Sequence, residues 1–303
     1  MAPKIWFITG CSVGFGRAIT EYVLEKGDTV VATLRNPEVL DDLSDKYKAS
    51  QLLVLQLDVS KLEQIKVAFA KATETFGRID VVVNNAGYGI LAEVEGTPSD
   101  AARALFEVNF WGMAAVASEA IRFFRDVNQP QGGQLLHMSS MLAFEPKPGL
   151  GFYAASKYAA DGLMESLSME LNPAWNIRLI IVEPGAFETR GTKSGSLVDT
   201  PQHPAYAYSG SLTAIMRQQL PIATLPGDPN KAARAIHALV YEPELPLHVL
   251  LGEDAVDAAL RKGDSFKEYA EKARVAHFAQ DLKLEAFSNA EVRWTPGHGA
   301  GSQ

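Results

Sequence analysis

Short apolar runs alternate with amphipathic segments along most of the chain. The runs Ile5–Thr9, Thr29–Thr33, Leu52–Leu57, Val81–Asn84, Gln134–Met138, Ile177–Val182 and Leu247–Leu251 read as strands. The patterns Phe15–Lys26, Glu38–Lys46, Leu62–Phe76, Ala102–Arg125, Phe152–Leu171 and Lys231–Tyr241 read as helices. Strands buried between two helical layers must be apolar nearly throughout, and "VVV" from Val81 and "IRLIIV" from Ile177 meet that demand. The alternation predicts an α/β fold, a doubly wound parallel sheet of about seven strands with helices on both faces. The segment from Phe187 to Pro229 breaks the rhythm, being rich in Gly, Ser, Thr, Pro and Tyr with one helical patch at Leu212–Gln219. Residues 254–286 then read as a charged helical extension. Neither stretch has the makings of its own core. One domain is expected over 1–303, with a core at about 4–252, a substrate loop at about 187–229 and a C-terminal helical extension at about 253–290.

Composition narrows the function classes. The 303 residues carry a net charge of −8 and no basic stretch, so the electrostatic footprint of a nucleic-acid binder is missing. No apolar run nears the ~20 residues that span a bilayer, and "MAPKIWFITG" lacks the features of an export signal. The single cysteine, Cys11, forms no internal disulfide and fits a reducing compartment as a small apolar filler. Cytoplasmic residence, with no membrane and no nucleic-acid partner, is expected. The histidines do not cluster at ligand spacing, so no metal is expected.

The stretch Thr9–Gly16, "TGCSVGFG", joins the first strand to the first helix. Glycines at 10, 14 and 16 let a backbone turn sharply and approach a ligand closely. The helix that begins there presents unpaired N–H groups and the positive end of its dipole, a fit for pyrophosphate. This makes Gly10, Ser12, Gly14, Phe15 and Gly16 candidate dinucleotide contacts, although a plain strand–helix connection would use the same glycines. The next strand ends "VVATLRNP", with no carboxylate where NAD-binding folds place an acid on the ribose hydroxyl. Arg35 instead suits the 2′-phosphate of NADP, with the Ser12 hydroxyl as a further donor. Outside that role Arg35 is a solvated charge.

Three later stretches carry more. "NNAG" at Asn84–Gly87 follows the fourth strand, and "PGAFET" at Pro184–Thr189 follows the sixth. Between them, "SSMLAFEPKPGLGFYAASK" sets Ser140 thirteen residues before Tyr153, and Tyr153 four before Lys157. With T-G-x-x-x-G-x-G, this set over residues 4–190 resembles the short-chain dehydrogenase/reductase family, and the strand at Leu247–Leu251 does so more loosely. The "ATLR" ending and the C-terminal extension are similar to the branch containing 17β-hydroxysteroid and retinol dehydrogenases. The resemblance implies a Rossmann-type sheet and interconversion of a carbonyl and an alcohol with NADP.

The chemistry can also be argued from the residues. Tyr153 and Lys157 lie one turn apart and share a helix face. A phenol titrates near 10, and a neighbouring ammonium is expected to lower that value. Tyr153 then acts as general acid toward a carbonyl oxygen or as base toward an alcohol. Ser140, just past the fifth strand, is placed to hydrogen-bond the same oxygen. The plainer fate of such a tyrosine is a half-buried aromatic, the reading given to Tyr158.

The resemblance further implies that Asn109 in "EVNFWG" interrupts a long helix and holds a water linking the lysine to solvent; the generic alternative is an asparagine pairing with nearby backbone. It implies that Asp58 and Val59 contact the adenine, that Asn85, Ala86 and Gly87 pack on the adenosine side, and that Tyr153, Lys157, Pro184, Gly185 and Thr189 flank the nicotinamide end. Asn84 is read as a brace between strands. Ala143 departs from the glycine that relatives often carry there.

For the substrate, Phe144, Phe152, Phe187, Tyr206, Tyr208 and Leu212 suggest an apolar or aromatic aldehyde or ketone, with a steroid or retinoid as an alternative. A non-catalytic NADPH-binding regulator is the rival reading. The helices at Ala102–Arg125 and Phe152–Leu171 commonly form the subunit contact in this family, which implies a homodimer, with a tetramer as the alternative.

Overall fold

The computed structural model describes residues 3–189, 197–220 and 222–275. Seven parallel strands form one sheet: β1 (Ile5–Thr9), β2 (Thr29–Leu34), β3 (Leu52–Gln56), β4 (Val81–Asn84), β6 (Gly133–Met138), β7 (Ile177–Pro184) and β9 (His248–Leu251). Their order is β3-β2-β1-β4-β6-β7-β9. Two further strands, β5 (Gly89–Leu91) and β8 (Leu197–Asp199), pair in parallel beside it. The helices are α1 (Gly14–Glu25), α2 (Asp41–Lys46), α3 (Leu62–Phe76), α4 (Ser99–Phe106), α5 (Met113–Asp126), α6 (Gly151–Glu170), α7 (Leu212–Gln219), α8 (Pro229–Leu239) and α9 (Glu253–Val275). Residues 276–290 of the expected extension lie outside the described residues. No described helix is long and apolar enough to cross a membrane.

The two-residue period of each strand divides the core into two layers. In β1, Phe7 faces α3 and α5 and stacks on Phe69 at 4.3 Å between ring centroids. Its neighbours Trp6 and Ile8 face the opposite layer, with Ile19, Val23 and Ile236 of α1 and α8. β1 pairs with β2 on one side and β4 on the other, so the chain winds outward in both directions from this seam. Loops leaving the carboxyl ends of β1 and β4 therefore part to opposite faces and leave a crevice between them.

Two features depart from a plain run of strands and helices. The span 102–125 is not one helix: as the resemblance implied, it is interrupted at Asn109, where a π-helical turn at Glu107–Gly112 separates α4 from α5. Its buried Asn109 turns its amide away from the helix, donating to the Tyr88 carbonyl (2.8 Å) and accepting from the Tyr88 N–H (3.0 Å). The other is the β5–β8 pair, which carries part of the 187–229 segment back to the body of the protein.

The amino ends of the strands are pinned by buried Asp28. Its carboxylate accepts from the Lys4 N–H (2.9 Å), Trp6 Nε1 (3.0 Å) and the Tyr241 hydroxyl (3.1 Å), and lies 3.3 Å from His237 Nε2. Removing an acceptor shared by so many buried donors leaves them unpaired. Asp28→Ala is expected to cost about 3 kcal/mol, read as a lower urea midpoint at unchanged slope.

Candidate active site

The crevice is a cleft of about 1040 Å³, reaching from Arg35 and Asp58 at one end to Leu220 and Leu225 at the other. Its floor starts at the glycine loop. Gly10 has φ +73°, and a Cβ there would stand 2.9 Å from the Ala86 Cα. Gly16 does not line the cleft; a Cβ on it would meet the Gly10 carbonyl oxygen at 2.2 Å, so this glycine seats α1 on the loop. The first turn of α1 has no side-chain cap, which leaves its N–H groups pointing toward the cleft as a site for an anion. Gly14, Phe15 and Ser12 line the same stretch.

Thr9, to which the sequence reading gave no role, joins this floor to the next strand. Its hydroxyl accepts from the N–H groups of Asn85 (2.9 Å) and Ala86 (3.0 Å), and Asn85 Nδ2 donates back to the Thr9 carbonyl (2.8 Å). Asn85, Ala86 and Gly87 thereby line the cleft. Asn84 instead donates to the Met113 carbonyl at 2.8 Å, bracing β4 against α5.

At the far end the Arg35 side chain is exposed and takes no ion-pair or hydrogen-bond partner among the described residues. This contrasts with Arg17, which is held by Glu21 and Asp42. Val59 and Asp58 line the cleft wall, and one Asp58 oxygen accepts from the Ser60 N–H (3.0 Å) and hydroxyl (2.8 Å). Cys11 is buried beneath the loop, and burial pushes its thiol up to about 12, which makes it unreactive.

Ser140, Tyr153 and Lys157 meet in the middle of the cleft. Ser140 leaves β6 in extended conformation and its hydroxyl accepts from the Leu142 N–H at 3.2 Å. Burial pushes the Tyr153 phenol above its ordinary value, against a hydrogen bond from Ser140. The expected lowering by Lys157 does not win. Lys157 is itself buried, its Nζ donates to the Met138 carbonyl at 2.7 Å, and burial brings its ammonium down to about 8. Asn109 is not in the cleft wall; its amide lies behind Tyr88 and also donates to the Ser156 hydroxyl at 3.1 Å.

Pro184, Gly185 and Thr189 line the wall opposite. Asp254 at the start of α9, which no motif singles out, accepts from the Ala186 N–H at 2.6 Å. A Cβ on Gly185 would fall 2.0 Å from Asp254 Oδ1, so the two residues require each other. Phe187 reaches back to Phe15, edge to face at 5.2 Å.

This geometry has known relatives. Residues 4–197 match the short chain dehydrogenase family. The chain is a short-chain dehydrogenase. It is similar to a solved short-chain dehydrogenase from Streptomyces avermitilis, at 35% identity over 90% of this chain and 96% of that one, with a TM-score of 0.81. Two more distant structures, each 25% identical with a TM-score of 0.66, carry dinucleotides. One is a Burkholderia cenocepacia short chain dehydrogenase in complex with NADP, aligned over 90% of this chain and 97% of that one. The other is a Brucella melitensis 3-ketoacyl-(acyl-carrier-protein) reductase complexed with NADH, aligned over 83% and 97%. The dehydrogenase is thus an oxidoreductase with a nicotinamide cofactor.

The substrate end of the dehydrogenase differs from expectation. Phe187 lines the cleft, but Phe144, Phe152, Tyr206, Tyr208 and Leu212 do not. The lining is mainly aliphatic instead, from Leu142, Leu150, Leu197, Val198, Leu220 and Leu225, with Tyr88 and Phe187 as its aromatic part. Tyr208 and Leu212 point outward, 61% and 66% exposed, because β8 and α7 are fastened by their polar side. Arg217 of α7 reaches buried Glu93 (3.1 Å), the Thr200 carbonyl (2.7 Å) and Asp199, and Glu93 also accepts from the His203 N–H (3.2 Å). These hydrogen bonds outweigh burial and hold the Glu93 carboxyl down at about 2. A carboxyl depressed by folding contributes in full above its ordinary value near 4.5 and loses that contribution progressively as pH falls from there through about 2. Protection of the amides across 197–220, relative to their intrinsic exchange, is therefore expected to hold down to about pH 4 and to fall off toward pH 2, whereas Arg217→Ala lowers it about tenfold or more at pH 7.

Proposed function

We propose that this dehydrogenase uses NADP(H) to interconvert an apolar aldehyde or ketone and its alcohol, working chiefly as a carbonyl reductase. The observation that carries the reading is the meeting of Ser140, Tyr153 and Lys157 between a largely aliphatic chamber and a glycine-lined cradle that ends at an arginine with no side-chain partner among the described residues. The uncapped α1 terminus and the backbone at Gly10 and Gly14 suit a pyrophosphate. Arg35, with Ser12 nearby in the loop, suits a 2′-phosphate, and no carboxylate follows β2 to prefer a free hydroxyl. Asp58 and Val59 would border the adenine, Asn85 to Gly87 the ribose, and Pro184, Gly185 and Thr189 the nicotinamide. NADP(H), when bound, supplies or accepts the hydride.

The protein's own task is the proton. A phenol held above its ordinary value keeps its proton at neutral pH and can donate it as negative charge grows on a carbonyl oxygen. Ser140 can steady the same oxygen. Lys157 places positive charge beneath the pair while it remains an ammonium, which favours the phenolate left behind. The side chain of Asn109 is spent on Tyr88 and Ser156, so its proposed relay role falls to main-chain groups of the π turn. The buried single cysteine accords with a cytoplasmic setting, and the outer faces of α5 and α6 with a homodimer.

Assays with NADPH and NADH against aliphatic and aromatic carbonyl compounds test the reading. Tyr153→Phe is expected to lower kcat about 1000-fold or more with intact NADPH binding. Arg35→Ala is expected to lower the NADPH-over-NADH preference in kcat/KM about tenfold or more; equal loss with both cofactors overturns the NADP assignment. Reductive turnover is expected to decline as pH rises past about 8, where Lys157 loses its charge.

A further inference from the structure

The interface between α6 and the sheet is apolar except along one seam. From Lys157, successive turns of α6 present Asp161 and Glu165 on the same face. Opposite them stand His137 of β6, Glu183 of β7 and His248 of β9, all on the α6 side of the sheet. The pleat requires this, since Leu135 and Ile181 share that face in the same core layer and His248 is in register with Ile181. His137 Nε2 lies 3.5 Å from Asp161 Oδ1. His248 bridges the outer part, with Nδ1 3.1 Å from Glu183 Oε1 and Nε2 3.4 Å from Glu165 Oε1.

The inner end is costly as it stands. Both ring nitrogens of His137, the Ser139 hydroxyl oxygen and Asp161 Oδ1 are buried without a hydrogen-bond partner among the described residues. Buried polar atoms of this kind are nearly always paired, with protein or with ordered water. The outer end is open, since His248 and Glu165 are 37% and 52% exposed. The Lys157 amine, held on the Met138 carbonyl, sits one residue from both His137 and Ser139 along β6.

We propose that this seam is a proton path from the surface to Lys157, with His248 as its entrance and the His137–Asp161 pair, bridged by water, as its inner station. It rests on the reductase reading above. When Tyr153 gives its proton to the substrate oxygen, the Lys157 ammonium returns one to the phenolate. The amine recovers one as the neutral His137 ring donates at one nitrogen and accepts at the other in the same transfer, the incoming proton arriving from solvent through His248, Glu183 and Asp161. One proton enters for each that leaves, and no electron moves along the seam. The groups facing His248 are Glu183 from β7 and Glu165 from α6, with Asp161 at longer range, and they raise its imidazole above its ordinary value. Those facing His137 are Asp161 and Lys157, with burial keeping the ring neutral. Asn84, beside His137 in register, is engaged with Met113. Asp254 of α9 is engaged with Ala186.

Two measurements on the full chain test this. The first needs no turnover. Histidine-labelled protein is titrated by nitrogen NMR, and the His137 ring is expected to show an inflection near pH 8 that Lys157→Met abolishes. The second is steady-state reduction. His248→Asn, at an exposed position, is expected to lower kcat about tenfold above neutral pH at unchanged KM, to raise the solvent isotope effect, and to be rescued by imidazole. Asp161→Asn should do the same without rescue. If His137 ignores Lys157, or if both variants keep the wild-type kcat and isotope effect, the path is overturned. If the wild type reduces no carbonyl compound, the functional reading fails, and the NMR titration alone decides whether the seam reaches Lys157.

Discussion

The structure depends on the parallel pairing of β1 with β4. It sets Trp6 beside Val81, Phe7 beside Val82 and Ile8 beside Val83, with the winding reversed across it. A slip of one residue would turn every side chain of β1 to the wrong core layer, so two apolar faces hold the register. Where the ladder ends, Thr9 continues it through a side chain, tying the backbone of residues 85 and 86 to the end of β1. The glycine loop and the 84–87 loop are therefore held as one rigid edge. Gly10 and Gly16 are demanded by that closeness, whatever the cleft contains.

Burial then does the chemical tuning. It acts in opposite directions on the two central groups, raising the Tyr153 phenol and lowering the Lys157 ammonium, since each is disfavoured in its charged form. Both shifts move the pair toward neutrality with the proton retained on oxygen. That is the state a general acid needs before it meets a carbonyl. The helix that carries them is also a core helix, with Ala160 and Met164 in the layer behind. The same turn that orients Lys157 places Asp161, so the electrostatics of the site extend along α6.

Much of this was legible in the sequence, because the relevant signals are local. β1 and β4 match their apolar runs residue for residue, Ile5–Thr9 and Val81–Asn84, since fully buried strands leave an uninterrupted pattern. Ser140, Tyr153 and Lys157 meet as their spacing implied. The rest was written in contacts that no local pattern records. β5 and β8 are three residues each and pair across about a hundred residues of chain. The π turn has no compositional mark apart from Asn109, whose partner Tyr88 lies in the loop between β4 and β5. His137, Glu183 and His248 each look like an isolated polar residue in an apolar strand, and only the sheet order brings them together.

The two halves of the cleft are built on different principles, which explains why reaction type is easier to read than substrate. The cofactor half is made of backbone, held by strand ends and by glycines that exclude side chains, so its motifs are short and rigidly spaced. The substrate half is made largely of side chains on β8 and just after α7, a segment fastened to the body largely through Arg217 and Glu93. Any set of aliphatic residues can be presented on such a lid as long as that attachment survives. Specificity can drift there without disturbing the proton chemistry a few ångströms below. The tyrosines of the 187–229 segment misled for this reason: composition reported what the lid contains, while the placement of one buried carboxylate decided which side of it faces inward.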